Sequence, residues 1–122
     1  MDGPNVILDF LFEDGLLFAS IENIGDLPAA DVTVEFDPAV HGAEGRDLGK
    51  IALFRRLAFL APRKRIVAFV DSTAAYFGRG EPSAVAASIR WKDPDGKDRS
   101  ARIRHDLDVY RDLPHLPGRP QT

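Results

Sequence analysis

Ala84-Val85-Ala86-Ala87-Ser88-Ile89-Arg90-Trp91-Lys92-Asp93-Pro94-Asp95-Gly96, with the return Arg102-Ile103-Arg104-His105-Asp106-Leu107, decides how the chain reads. Val85, Ala87, Ile89 and Trp91 occupy every second position, the period of a strand with one buried face. Ala84, Ala86, Ser88, Arg90 and Lys92 then point the other way. Asp93-Pro94-Asp95-Gly96 is turn chemistry: proline pre-sets φ at the second position and glycine tolerates the left-handed region. Ile103, His105 and Leu107 face in on the return strand, with Arg102, Arg104 and Asp106 facing out. The result is a hairpin with one apolar and one cationic side.

The same punctuation recurs upstream. Val6 to Phe12 and Leu16 to Asn23 are β-rich runs separated by Glu13-Asp14-Gly15, a tight hairpin turn. Val32, Val34 and Phe36 alternate with Thr33 and Glu35, and Asp37-Pro38 ends that strand because proline donates no ladder bond. Residues 39–50 read as a loop, Ile51 to Phe54 as a short strand, Leu60-Ala61-Pro62 as a corner and Arg65 to Val70 as a strand. Asp71 to Pro82 reads as irregular, with one helical turn at Ala75-Tyr76-Phe77. No window of a dozen residues sustains a helical period. About seven short strands between turn signals predict an all-β chain, an immunoglobulin-like antiparallel β-sandwich with almost no helix. Leu17, Ile21, Val34, Phe36, Val85, Ile89, Trp91 and Ile103 are its expected core. The sandwich is expected over residues 1–110, with 111–122 (three prolines, Pro114, Pro117 and Pro120) as a proline-rich tail or linker.

A chain of 122 residues with 44% hydrophobic and 29% charged residues can bury a core of its own. It has no cysteine, which excludes disulfides, thiolate nucleophiles and cysteine-held zinc. No apolar run nears the ~20 residues of a membrane helix. Met1-Asp2-Gly3-Pro4 does not begin an export signal. The expectation is a cytoplasmic protein, or a soluble domain whose membrane anchor lies in a segment outside this chain. Charge is split along the sequence. Residues 1–45 hold six Asp and four Glu and no Lys or Arg, whereas 46–122 hold all 16 basic residues against nine acidic ones. The segments carry −10 and +7, the net −3 of the chain. This suits either acidic strands pairing with basic ones within the fold, or a basic face that meets an acidic partner.

Ser20-Ile21-Glu22-Asn23-Ile24-Gly25-Asp26-Leu27-Pro28-Ala29-Ala30-Asp31-Val32 resembles the segment between the second and third strands of bacterial immunoglobulin-like domains of the cell-adhesion-related, CARDB-like type. Phe59-Leu60-Ala61-Pro62 is similar to their Leu-x-Pro-Gly corner, with Arg63 where the glycine usually stands. The resemblance spans most of residues 6–107. It implies a spacer or recognition role and no active site. Independently of it, Asn23 and Gly25 read as a structural turn: the amide bonds the following backbone, and Gly25 is expected at positive φ.

Motifs for chemistry are sparse. His41, His105 and His115 fall in a loop, a strand and the tail, with no nucleophile elbow or metalloprotease helix around them. Gly78-Arg79-Gly80 lacks the remaining parts of a dinucleotide fingerprint. Asp93-Pro94-Asp95-Gly96-Lys97-Asp98 has glycine fourth and no closing glutamate, so it is a hairpin and not a calcium loop. No cofactor or metal is expected, although Asp26 and Asp31 are candidates for a cation site at one end of the sandwich.

The expected function is therefore a non-catalytic module for protein–protein interaction or spacing. Arg90, Lys92, Arg102 and Arg104 form the candidate partner face, for an acidic protein, a neighbouring domain or, with weak self-association, the acidic half of another copy. Missing aromatics on that face argue against nucleic acid. The alternative is an accessory module for a carbohydrate or a cation, which needs Trp91, Tyr76 and Tyr110 to line a groove. An enzyme would need His105 in a cleft beside a carboxylate of altered acidity.

Overall fold

The computed structural model describes residues 3–111. Among them seven strands form two antiparallel sheets. They are β1 (Val6–Glu13), β2 (Leu16–Asn23), β3 (Ala29–Asp37), β4 (Leu57–Leu60), β5 (Arg65–Ser72), β6 (Ala84–Lys92) and β7 (Asp98–Asp106). One sheet has the order β1-β2-β5 and the other β4-β3-β6-β7. The chain changes sheet between β2 and β3, between β4 and β5, and again between β5 and β6, so it is an all-β sandwich with an immunoglobulin-like interleaving of strands.

Alternation builds the core as expected. Val6, Leu8 and Phe10 of β1 and Leu17, Ala19 and Ile21 of β2 face Val32 and Val34 of β3 and Val85, Ala87, Ile89 and Trp91 of β6, all buried. Phe36 and Ile103 are only half-buried against this cluster. Ile103 sits on an edge strand with cover on one side, and Phe36 leans on Phe54 at 5.4 Å between ring centroids. The first hairpin turn places Asp14 at φ 53° and Gly15 at φ 79°, the doubly left-handed geometry that matches strand twist. The last closes through Gly96 at φ 81°, whose amide reaches the Asp93 carbonyl at 2.8 Å.

Two expectations fail here. Ile51 to Phe54 is not a strand. It enters helix α1 (Ala52–Arg55), with the Phe54 and Arg55 amides both reaching the Ile51 carbonyl. Ile51 and Phe54 stand three apart and both pack inward, a helical spacing that four residues cannot distinguish from a strand by composition. The strand lies instead at Leu57–Leu60, and the corner follows it at Ala61–Lys64. The connection after β5 is also more ordered than expected. Ser72 caps helix α2 (Thr73–Gly78), accepting from the Ala75 amide, and the helix delivers Tyr76 fully buried to the core. The proline-rich stretch from residue 112 onward lies outside the described residues, as does His115.

Candidate functional site

Alternation places Arg90, Lys92, Arg102 and Arg104 together on the outer side of β6 and β7. The register sets Ser88 beside Arg102, Ala86 beside Arg104, and Arg90 beside Ser100. The face is not uniformly cationic. Glu35 and Asp37 of β3 lie across from Ser88 and Ala86, and Asp98 and Asp106 flank β7. Lys92 donates to Asp98 at 2.7 Å, which raises the lysine's pKa. Arg102 donates to the Ser88 hydroxyl at 2.8 Å and lies 3.8 Å from Asp37. Arg90 and Arg104 make no ion pair with a described residue. Glu35 forms no ion pair with any of the four among the described residues.

Asn23 is a structural hub. Its side-chain carbonyl accepts from the Asn5 amide at 3.1 Å and the Gly25 amide at 2.9 Å. Its amide donates to the Leu27 carbonyl at 2.8 Å and the Leu60 carbonyl at 3.2 Å. The residue is fully buried, with the capacity of its amide well used. Gly25 corrects the expectation: its φ is not positive. Glycine is required there because a β-carbon would collide with the Gly3 carbonyl oxygen and lie 2.8 Å from the Asn5 nitrogen. Left-handed backbone falls instead at Asp31, φ 50°, and at Arg63, φ 62°, the latter in the position where the resembled corner carries glycine.

The candidate histidine, aspartates and aromatics do not gather into one site. His105 presents its edge to Phe10, and its Nε2 lies 3.0 Å from the Leu8 carbonyl oxygen, with no carboxylate beside it. Asp26 pairs with Arg63 at 3.0 Å, while Asp31 lines a separate hollow with Arg90, Lys92 and Asp98. The two aspartates are thus not brought into one cation site, and no metal-holding cluster of three or more His, Asp or Glu occurs among the described residues. Trp91 and Tyr76 are buried and Tyr110 is half-buried, so the three do not line an open groove. Burial, helped by Glu81, pushes the Tyr76 phenol up to about 12, and its hydroxyl donates to the Pro82 carbonyl.

Sequence reasoning missed two features. The first is a polar clamp. Arg79 donates to Asp71 at 2.6 Å and to the His41 carbonyl at 3.0 Å, and its Nε lies 3.6 Å from Glu81. The bond to Asp71 raises the arginine's pKa. This clamp fastens the 39–47 loop to α2 and β5. The second is the outer side of the β1-β2-β5 sheet. Leu11, Phe18 and Phe69 form one cross-strand row, with Phe18 and Phe69 in edge contact at 5.8 Å. Phe69 is 51% exposed and the neighbouring Val67 46%. The signal was present in the sequence, since Leu11, Phe18, Val67 and Phe69 alternate with residues that already fill the core.

Residues 1–111 match the family described as a domain of unknown function, DUF8453. The chain belongs to that family. No curated protein and no solved structure matches it. No helix among the described residues of this DUF8453 domain is long and apolar enough to cross a membrane.

Proposed function

We propose that this DUF8453 domain is a non-catalytic module for protein–protein interaction. The observation that carries the reading is the apolar row on the outer side of the β1-β2-β5 sheet, half-buried at Leu11 and Phe18, exposed at Phe69 and extended by exposed Val67. Apolar residues gathered on one sheet face mark interaction sites more often than scattered ones do. Aromatic side chains also supply much of the energy at interface centres. The resemblance of Ser20–Val32 to CARDB-like domains supports the same class of role. A second reading is favoured by Arg90 and Arg104, which make no ion pair with a described residue: an acidic partner surface would dock on the β6–β7 face. The test is affinity capture from source cells with the wild type, with Phe69→Ser and with Arg102→Glu/Arg104→Glu. Loss of the partner with Phe69→Ser alone supports the apolar face, and loss with the double change alone supports the cationic one. Capture of the same partners by all three proteins would remove both surfaces.

A further inference from the structure

The sandwich's four edge strands are guarded unequally. An unguarded edge is a template for another strand, so proteins blunt edges with charge, proline, short length or cover. On β1 the Leu8 carbonyl meets His105 Nε2 at 3.0 Å, and the Phe10 carbonyl accepts from the Tyr110 hydroxyl at 2.9 Å. On β7 Asp98, Arg99, Arg102, Arg104 and Asp106 supply charge. β4 is only four residues long. On β5 the run Ile66-Val67-Ala68-Phe69-Val70 has neither charge nor proline.

The ladder identifies which β5 backbone groups are free. A two-residue hairpin makes Glu13 and Leu16 a hydrogen-bonded pair, and such pairs alternate along antiparallel strands. Counting from there, Ala19, Ile21 and Asn23 turn their backbone groups toward β5. The Asn23 amide, 3.0 Å from the Lys64 carbonyl, agrees with that count. Ala68 and Ile66, opposite Ala19 and Ile21, are therefore engaged with β2. Arg65, Val67 and Phe69 aim their N–H and C=O groups away from it, and all three have exposed side chains. At the far end Gly42 sits against the Val70 carbonyl and closes the edge. The open length is Arg65 to Phe69.

We propose that this open edge pairs antiparallel with the same edge of a second copy, about a twofold axis at Val67, to make a continuous six-stranded sheet. This deepens the interaction reading by naming one partner, and rests on the same exposed side chains. In that register Val67 faces the partner's Val67, and Arg65 faces the partner's Phe69 twice over. All three free backbone pairs are satisfied, and each guanidinium gains an aromatic face. A second copy suits the edge because the edge is self-complementary in its backbone pattern. The twofold register pairs its own free N–H and C=O groups and sets Arg65 against Phe69, and it brings Lys64 to a loop that holds exposed Glu44 beside exposed Arg46. Exposed Lys64 opens the strand and makes no ion pair with a described residue, while exposed Glu44 lies in the loop that closes the other end. Antiparallel pairing brings the start of each strand to the end of the other, and so Lys64 toward the partner's Glu44.

The experiment is sedimentation equilibrium of the full chain, with single substitutions at Val67. Wild type is expected to be dimeric and to stay dimeric at about 0.5 M salt, where charge attraction is screened within a few ångströms. Val67→Lys sets two like charges face to face, and should weaken dimerisation at least about tenfold while leaving the circular dichroism of the dilute monomer unchanged. The chain has no cysteine, so Val67→Cys offers one thiol per copy. Hydrogen-bonded antiparallel neighbours lie about 5.5 Å apart at Cα, within disulfide reach. Val67→Cys should therefore cross-link on oxidation, and Ser100→Cys on β7 should not. A monomeric wild type, a dimer lost at high salt, an unweakened Val67→Lys dimer, or equal cross-linking by the two thiols overturns the proposal. Monomeric protein that still captures a cellular partner through Phe69 would overturn this edge pairing and leave the broader interaction reading standing.

Discussion

Asn23→Ala tests whether one amide holds the end of the sandwich together. The side chain makes four hydrogen bonds, to Asn5, Gly25, Leu27 and Leu60, from a fully buried position. These partners belong to the segment before β1, the β2–β3 turn and the end of β4, so one residue joins both sheets. Each bond contributes about 0.5–1.5 kcal/mol net, and the groups left behind include two carbonyls and two amides with restricted access to water. Partial rehydration at the domain end offsets some of this. We expect a loss of about 3–5 kcal/mol, a large share of the 5–15 kcal/mol typical of a domain. In urea, with a slope of about 2 kcal/mol/M, the midpoint should fall by roughly 2 M. Asn23→Asp is the sharper variant. It keeps both acceptor bonds, removes both donors and turns a carboxylate toward the Leu27 and Leu60 carbonyls. That repulsion raises the introduced group's folded pKa, so the variant should gain stability on acidification as one O–H donor returns. A loss under 1 kcal/mol for Asn23→Ala, or an Asn23→Asp protein as stable as wild type at neutral pH, would refute the reasoning.

Gly25→Ala should cost about 1–3 kcal/mol because the new methyl displaces backbone at Gly3 to Asn5, a cost of overpacking measurable by denaturant unfolding. Arg63→Gly should be about 1 kcal/mol more stable than Arg63→Ala, since both lose the Asp26 pair but only glycine relieves the left-handed backbone; equal midpoints would contradict this. Asp93 accepts from the Lys97 and Asp95 amides and from Arg99, which hold its pKa below the ordinary aspartate value of 3.8. Its contribution is present above that value and lost as pH falls through the depressed one. Asp93→Asn should thus be less stable than wild type at neutral pH, with the gap closing in acid unfolding series. The Tyr76 phenol, raised to about 12, stabilises the fold fully below the ordinary value of 10 and ceases to do so as pH climbs through about 12. Phenolate absorbance should show a transition near 12 that is absent from Tyr76→Phe.

The first strand and turn of the last hairpin were legible, because period-two alternation over Ala84–Lys92 and a Pro-Asp-Gly turn agree. The return strand begins four residues earlier than expected, at Asp98, and ends at Asp106, with Leu107 turning into a helical turn. The segment from 51 to 60 was not legible. Ile51, Leu53 and Phe54 fit a strand or a helical turn equally, and the choice falls to the tertiary pocket that takes Phe54. Gly25 was recognised as a necessary glycine for the wrong cause, since a collision with the Gly3 carbonyl depends on a chain segment some twenty residues away. The outer side of the first sheet escaped notice for a related reason. Leu11 and Phe18 read as further strand apolar residues until the register shows that Phe10 and Leu17 already supply the inward positions.

The charge split along the sequence dissolves in the fold, and this bears on how the domain associates. Acidic β1 and β2 share a sheet with β5, which begins in the basic Arg63–Arg65 run, and acidic β3 lies between β4 and the arginine-rich β6–β7 hairpin. The pairs Asp26–Arg63 and Asp37–Arg102 join the two halves of the sequence directly. Interleaved topology therefore mixes the acidic and basic halves of the sequence within each sheet, so the −10 and +7 segments do not form two separate layers. Exposed pairs of this kind contribute little, about 0–1 kcal/mol each, and less in salt. In the proposed edge pairing the energy comes from short-range terms: unpaired backbone along an edge, and apolar area beside it. Both coincide on β5 at Arg65 to Phe69, next to Phe18. A binding strength that tracks Val67 and Phe69, and changes little between low and high salt, is the behaviour the proposed pairing predicts.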